Sequence, residues 1–133
     1  MQQDIALLGL DNVQIVPETG DINDYFRMAD LLVCTSFEES FPRVLIEAMA
    51  LGVRIVSTDV FGIPEMLTGN DEALLVPAGD PFKLCAALEK ALAAHFAGDE
   101  AMPSMAYAHV RRSFDAARLL PRHLALCREA ALG

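Results

Sequence analysis

The sequence predicts a doubly wound α/β fold, in which helices cover both faces of a parallel sheet. Three apolar runs, Ala29–Ser36, Val53–Asp59 and Ala73–Ala78, alternate along the chain with segments of helical periodicity. Strands that are apolar throughout are typical of parallel sheets that are buried on both faces. Such folds bind ligands at the carboxyl ends of their strands, so we expect functional residues in the loops that follow these runs.

The first elements are a candidate strand and a helix. Val13–Val16 is a short, mostly β-branched run that ends at Pro17, a residue that cannot donate to a strand ladder. Asp21–Ala29 has a polar start and a helical pattern, and it leads directly into the first long apolar run. We therefore expect a helix to precede the first buried strand.

The next helix follows the first apolar run, and its periodicity covers Arg43–Leu51. Gly52 is the predicted C-cap, because glycine adopts the left-handed backbone that ends many helices. We expect the helix to begin near Ser40 or Phe41. Pro42 would then lie in the first turn, where a helix uses no backbone N–H and a proline is tolerated. Its apolar face consists of Val44, Leu45, Ala48 and Met49.

The remaining sheet elements follow the strand over Val53–Asp59. A Gly-Ile-Pro-Glu turn leads into a short helical stretch over Pro64–Gly69, and Ala73–Ala78 is the last predicted strand. Asp80 is a good N-cap with proline at the first helical position, so the amphipathic pattern of Pro81–Phe96 predicts a well-defined helix.

The C-terminal quarter is predicted to be helical. One or two helices are expected through Met105–Leu120, with a break at Pro121 and a further helix beyond it. We expect residues 1–98 to form a partial sheet domain and residues 99–133 to form a helical segment that packs on it. Five arginines of this segment form either a solvated helix face or a contact surface for an acidic partner or lipid headgroups: Arg111, Arg112, Arg118, Arg122 and Arg128.

Composition narrows the class of protein. A chain of 133 residues with 53% hydrophobic and 22% charged residues is expected to form one soluble globular unit. A net charge of -9 disfavours binding to nucleic acid, which depends on clustered Lys and Arg. The three cysteines lack metal-ligand spacing, so neither a metal site nor a disulfide is predicted. Without a signal sequence or a transmembrane span, a cytoplasmic location is expected, with a peripheral position at the inner membrane face left open.

Two carboxylates flank the start of the helix after the first apolar run. Its free N–H groups and dipole can bind a diphosphate. The carboxylate of Glu47, further along the helix, can accept hydrogen bonds from two ribose hydroxyls. Glu39, ahead of the helix, would then lie near a sugar attached to the diphosphate, or near a developing cation. Spacing alone is weak support, since a glutamate on a helix is commonly solvated.

The segment Thr35–Leu67 resembles the nucleotide-sugar-dependent retaining glycosyltransferases of the group 1 family. These enzymes have the GT-B architecture of two Rossmann-like domains, and their signature contains a Glu, seven residues and a second Glu. Weaker similarity extends from about Leu8 to Leu92, and the Gly-Gly-x-x-Glu turn of the family reads here as Phe61–Glu65. The matching positions are Glu39, Phe41, Pro42, Glu47, Ala48, Met49, Ala50, Gly52, Val56 and Thr58.

The resemblance implies roles for these residues in binding a nucleotide-sugar donor. Glu39 would be catalytic at the donor sugar, and Glu47 would bind the ribose. The diphosphate and sugar would be lined by Ser40, Phe41, Pro42, Arg43 and Val44. Arg43 is either a phosphate contact or a surface arginine. The family transfers the sugar with retention of configuration, usually without a metal, and requires no further cofactor.

The resemblance also implies that part of the enzyme lies outside this chain. The chain resembles the C-terminal part of a donor-binding Rossmann-like domain, without the N-terminal acceptor domain or the Gly-rich turn whose Arg and Lys neutralise the diphosphate. We therefore expect little or no turnover by the chain alone. The exposed strand edge predicts a homodimer or a missing N-terminal half as partner. A non-catalytic nucleotide-sugar-binding or interaction module, a subunit of a split transferase and a nucleotide-sugar epimerase remain alternatives.

Overall fold

The fold is a three-stranded parallel sheet with helices on both faces, in a computed structural model that describes residues 2–67 and 71–132. The strands lie in the order β1-β2-β3. The elements are α1 (Gln2–Leu7), α2 (Ile22–Met28), β1 (Leu31–Cys34), α3 (Arg43–Ala50), β2 (Arg54–Thr58), α4 (Ile63–Met66), β3 (Leu74–Val76), α5 (Pro81–Phe96), α6 (Ala101–Ser113) and α7 (Ala116–Leu132).

The sheet is covered on both faces at its centre. All five residues of β2 are buried, and successive side chains of a strand point to opposite faces. Helix α3 contacts β1 and β2, and α5 contacts β2 and β3. This confirms the predicted doubly wound α/β class.

The parallel register aligns the carboxyl ends of the strands. Val33 pairs with Val56, which in turn pairs with Leu74. Beyond the last ladder pair, the backbone N–H of Asp59 donates to the carbonyl of Val76 at 2.7 Å. The loops after all three strands therefore open at one edge of the sheet.

The core lies between α3, the sheet and α6. Leu45 and Met49 of α3 are fully buried, as are Ile55 of β2 and Ile63 of α4. Helix α6 packs along α3 and contributes Ala106 and Val110 to the same apolar cluster. The apolar face predicted for α3 is buried except at Val44, which is half-buried.

Helix α3 begins later than the sequence prediction, which placed its start near Ser40 or Phe41. It starts at Arg43, and Pro42 is the N-cap in an extended conformation. The physical reason is that a proline disfavours helical backbone in the residue before it, here Phe41. Pro42 thus lies just outside the first turn, and its carbonyl accepts a hydrogen bond from the N–H of Leu45 at 3.1 Å.

Helix α3 ends at Ala50 with Leu51 as its C-cap, so the predicted C-cap Gly52 lies one residue further along. Gly52 has a φ of 70° and donates to the carbonyl of Met49, and Val53 donates to the carbonyl of Ala48. This pair of bonds is the Schellman motif, which satisfies two carbonyls left over at the helix end.

The predicted strand at Val13–Val16 does not form. The segment is outside the sheet, and its three apolar residues are exposed. A strand requires a neighbour to accept and donate its backbone hydrogen bonds, and the described residues place no strand beside this run. The helical stretch predicted over Pro64–Gly69 is present as α4, but Thr68 and Gly69 lie outside the described residues.

The C-terminal helices differ in detail from the prediction. Helix α6 already begins at Ala101, because Asp99 accepts a hydrogen bond from the Ala101 N–H and Pro103 fits the first turn. Pro121 lies inside α7 and does not end it. In a regular helix, the N–H of residue 121 would donate to the carbonyl of Ala117, and proline lacks that N–H. Ala117 is exposed, so water can bond its carbonyl instead.

The two C-terminal helices differ in packing. Helix α6 contacts α3, whereas the residues of α7 from 116 to 131 are exposed. The domain boundary near residue 98 stays a prediction.

Candidate functional site

The candidate site is the loop Phe37–Pro42 between β1 and α3, which we call the acidic loop because it contains Glu38 and Glu39. It leaves the sheet at the carboxyl end of β1. The hydroxyl of Thr58, at the end of β2, donates to the carbonyl of Ser36 at 2.6 Å. This bond fixes the start of the loop to the neighbouring strand.

The turn after β2 holds the middle of the acidic loop. The N–H of Gly62 donates to the carbonyl of Glu39 at 3.2 Å. A Cβ added to Gly62 would overlap the carbonyl oxygen of Ser40 and lie 2.8 Å from its carbonyl carbon. The preceding residue, Phe61, has a φ of 45°, a left-handed conformation that is uncommon for a bulky residue. The two segments are therefore in direct backbone contact.

An open depression of about 380 Å³ lies at this junction. It is lined by Glu38, Glu39, Ser40 and Phe61. The structure thus brings together Glu39 and Ser40 of the predicted site. The other predicted residues, from Phe41 onwards, lie outside this lining.

The start of α3 presents backbone donors next to the acidic loop. Arg43 and Val44 are its first helical residues, and Pro42 contributes no N–H. The side chain of Arg43 forms an ion pair with Glu47 at 3.4 Å, one helical turn away. The Arg43 side chain is highly exposed and that of Glu47 is partly exposed, so the pair is weak and can be displaced by a ligand.

Phe41 links the acidic loop to the C-terminal helices. Its side chain is half exposed, and its ring contacts that of Phe114 edge to face with centroids 5.8 Å apart. Phe114 is the C-cap of α6. One side of the predicted site residue Phe41 is therefore in contact with the α6 C-cap.

A second depression, of about 210 Å³, opens where all three strands end. It is largely apolar, and the start of α5 forms one side of it. Its lining consists of Thr35, Phe37, Thr58, Val76, Pro77, Gly79, Asp80, Pro81 and Leu84. The carboxyl edge of the sheet thus carries an acidic depression and a separate apolar one.

Asp80 organises the helix beside this apolar depression. Its carboxylate accepts a hydrogen bond from the backbone N–H of Lys83 at 3.0 Å. That bond, with smaller contributions from the Lys83 side chain and its charge, lowers the pKa of Asp80 from its ordinary value of 3.8. The predicted N-cap of α5 is confirmed.

Membrane spans and metal clusters are two other features that could indicate function. Across 2–67 and 71–132, every helix falls short of the length and apolar character that crossing a bilayer requires. In the same ranges, the His, Cys, Asp and Glu side chains form no cluster of three or more that could hold a metal ion.

Comparison with known proteins gives the family. The sequence profile described as "Glycosyl transferases group 1" matches residues 1–94, which is more than half of the chain. The chain belongs to this family. The acidic loop and α3 lie within the matched part of this group 1 family member.

Curated relatives of this group 1 chain include a synthase and a mannosyltransferase. N-acetyl-alpha-D-glucosaminyl L-malate synthase of Bacillus anthracis is 39% identical over 70 residues, covering 53% of this chain and 18% of that protein. Lipopolysaccharide core biosynthesis mannosyltransferase LpsB of Rhizobium meliloti is 38% identical over 85 residues, covering 62% and 24%. The chain thus spans about a quarter or less of these relatives.

Solved structures confirm the GT-B type of α/β fold. Alr3699/HepE of Anabaena, in complex with UDP, matches with a TM-score of 0.88 at 25% identity, over 96% of this chain and 35% of that one. The same protein was also solved with UDP-glucose. The group 1 chain therefore has the fold of about one third of a nucleotide-sugar-binding protein.

The sequence did not indicate several residues that surround the candidate site. Glu38 and Phe61 line the acidic depression, and Phe114 contacts the acidic loop from a helix distant in sequence. Glu38 adjoins a predicted residue and could have been included on that ground. The contribution of Phe61 requires a left-handed backbone, and that of Phe114 requires the packing of α6 on α3, so neither has a local sequence signal.

Proposed function

We propose that this chain is the donor-binding part of a glycosyltransferase that moves a sugar from a nucleoside-diphosphate sugar to an acceptor with retention of configuration. One observation carries the proposal. Glu39 lies in the loop that leads from the carboxyl end of β1 into the start of α3, in a group 1 chain whose fold matches a protein solved with UDP and with UDP-glucose.

The diphosphate would bind at the start of α3. The first helical N–H groups, those of Arg43 and Val44, are not used by the helix itself, and the helix dipole adds positive charge there. The side chain of Arg43 can supply further charge, because its ion pair with Glu47 is exposed and weak. Arg43 would exchange Glu47 for a donor phosphate when the donor binds.

The ribose would bind to Glu47. A carboxylate accepts two hydrogen bonds, and the two vicinal ribose hydroxyls present two donors at matching separation. Displacement of Arg43 toward the phosphate would leave the carboxylate of Glu47 available for these hydroxyls. Ser40, Phe41 and Pro42 would line the path between the diphosphate and the sugar.

Glu39 would act at the donor sugar. As the bond between the anomeric carbon and the diphosphate oxygen breaks, the nucleoside diphosphate leaves with the bonding electrons and positive charge develops on the sugar. A carboxylate held near that carbon stabilises this charge. The acceptor hydroxyl oxygen forms the new bond on the face that the leaving group occupied, and its proton passes to the departing diphosphate oxygen, so configuration is retained.

The chain would depend on further polypeptide for turnover. Strand β1 pairs with β2 and, among the described residues, has no strand at its other edge. We propose that this edge is covered either by a second copy of the chain or by the segments that account for the remaining length of its relatives. We also propose a cytoplasmic location, with a peripheral position at the inner membrane face as the alternative.

Titration of the chain with UDP, GDP and ADP and their sugars by calorimetry tests the donor site. Glu47→Ala should weaken binding of the best nucleotide by about tenfold, the contribution of hydrogen bonds to a charged group. Glu129→Ala, which removes an exposed glutamate of α7, is the matched control and should change nothing. Unchanged affinity in Glu47→Ala would refute the ribose role.

A non-catalytic nucleotide-sugar-binding or interaction module, or a subunit of a split transferase, is the second candidate. The open edge of β1 and the exposed α7 favour it, since both are surfaces suited to a partner. Turnover of a nucleotide sugar by the purified chain, abolished by Glu39→Gln, would exclude the module. An epimerase is less well supported, and formation of an epimerised nucleotide sugar would identify it.

A further inference from the structure

The acidic loop is held from two sides, by the Phe61–Gly62 turn and by the end of α6. On the second side, Phe41 contacts Phe114 through ring edges, with an interplanar angle of 68°. Phe114 in turn contacts the ring of His109, with centroids 5.5 Å apart and an interplanar angle of 70°. A row of three rings thus runs from the interior of the α6 interface to the candidate site.

The inner end of this row is rigidly held. His109 is 3% exposed, and its Nε2 donates to the carbonyl of Met66, at the end of α4, at 2.9 Å. Its Nδ1 lies 3.1 Å from Nη2 of Arg112 and 3.3 Å from Oε1 of the buried Glu72. Contacts at both ring nitrogens fix the orientation of the imidazole, so that it forms a firm base for Phe114.

The outer end of the row is more exposed. Phe41 is 50% exposed and lies in a loop without regular secondary structure, directly before the Pro42 N-cap. Phe114 packs against the buried core at one side and presents its ring to Phe41 at the other. The contact with Phe114 therefore restricts the orientation of residue 41 and of the backbone that enters α3.

We infer that Phe114 is a positioning residue for the donor site, which acts by holding Phe41 and the adjoining backbone of the acidic loop. The consequence for binding rests on the proposed function, because it assumes that the diphosphate binds at the start of α3. Phe114 itself would not contact the donor. Helix α6 thereby contributes to a site that lies in the sheet domain.

The first experiment measures nucleotide binding by calorimetry and thermal stability in the same samples, with UDP, GDP and ADP as probes. Phe114→Leu keeps an apolar side chain but removes the ring edge, and should weaken binding by about three- to tenfold. Phe114→Tyr keeps the ring and should bind within about twofold of the unchanged chain. Phe96→Leu is the matched control, because it makes the same change far from the acidic loop. Among the described residues, the Phe96 ring pairs with the ring of His95 alone.

A second experiment reports on the loop without any nucleotide. The chain contains no tryptophan, so a Phe41→Trp variant has a single indole whose emission can be excited selectively. Adding Phe114→Leu should shift this emission to the red and lower its anisotropy, because the indole loses its neighbour and moves more freely. Adding Phe96→Leu should leave both quantities unchanged.

These outcomes separate the inference from the proposed function. If none of the nucleotides binds the unchanged chain, the proposed function fails, and the indole signal alone decides whether Phe114 holds the loop. The inference is overturned if Phe114→Leu leaves the indole signal unchanged. It is also overturned if Phe114→Tyr weakens binding as much as Phe114→Leu, or if loss of affinity merely parallels loss of thermal stability.

Discussion

At the scale of single residues, Gly62 sets the geometry of the acidic loop. Its N–H binds the carbonyl of Glu39, and its lack of a side chain admits the carbonyl of Ser40. Because its φ is an ordinary -79°, the requirement for glycine comes from space and not from backbone conformation. The loop and the turn after β2 can approach each other only if position 62 stays without a Cβ.

Gly62→Ala should therefore lower both stability and nucleotide binding. The new methyl group would overlap backbone atoms, which cannot yield as a side chain does, so we expect a loss of about 1–3 kcal/mol in the free energy of unfolding. Urea denaturation followed by circular dichroism measures this loss.

Gly20→Ala is the control for this prediction. A Cβ at Gly20 meets open space, and the substitution should be neutral or slightly stabilising. Equal stability of the two variants would show that the turn can move away from the acidic loop without cost.

At the scale of elements, the sequence predicts those helix ends that depend on neighbouring residues along the chain. Asp80 is an N-cap where predicted, and Gly52 ends α3 from the position directly after the C-cap Leu51, since both act through chemistry within one helical turn. Elements that depend on distant neighbours differ from the prediction. Val13–Val16 has strand composition but has no ladder partner within 2–67 and 71–132, and Pro121 is accommodated because its part of α7 is exposed.

The candidate site shows the same division. The resemblance selects Glu39 and Glu47 from their spacing, but the predicted start of α3 is too early because Pro42 disfavours helical backbone at Phe41. The contact between Phe41 and Phe114 could not be predicted, since it arises from tertiary packing of α6 on α3.

The Asp80 cap predicts a pH dependence for α5. Asp80 has a pKa below 3.8 in the folded chain because the N–H of Lys83 donates to its charged form. Its stabilising contribution is therefore complete above the ordinary carboxyl pKa and is lost as the pH falls through the lower folded value. Asp80→Ala should lower the melting temperature at pH 7, and its difference from the unchanged chain should disappear at strongly acidic pH.

Thermal melts followed by circular dichroism at several pH values check this prediction. Asp80→Asn retains an acceptor for the N–H of Lys83 without a titrating group, so it should retain part of the stability with a weaker dependence on pH. If the difference between Asp80→Ala and the unchanged chain instead grows as the pH falls, the carboxylate form of Asp80 does not stabilise α5.

At the scale of the whole molecule, the residues proposed to bind the donor and exposed apolar surface lie on the same small sheet. The acidic loop follows β1, which in the part of the chain that the structure describes pairs with β2 alone and so has one open edge. Val33 of β1 is 40% exposed, and the apolar residues of Val13–Val16 are exposed as well. A sheet with an uncovered apolar edge tends to pair with other strands, so association and donor binding would be coupled through β1.

Association through β1 should make the size of the particle depend on concentration. Val33→Lys places a charge on the open strand, and a charge in that position disfavours pairing with another sheet edge. We expect self-association to weaken by about tenfold or more, corresponding to ~1.4 kcal/mol, as measured by size-exclusion chromatography with light scattering. Leu119→Lys places the same charge on the exposed α7 and should have no effect if β1 forms the interface. The reverse result, with association lost only in Leu119→Lys, would assign the interface to α7.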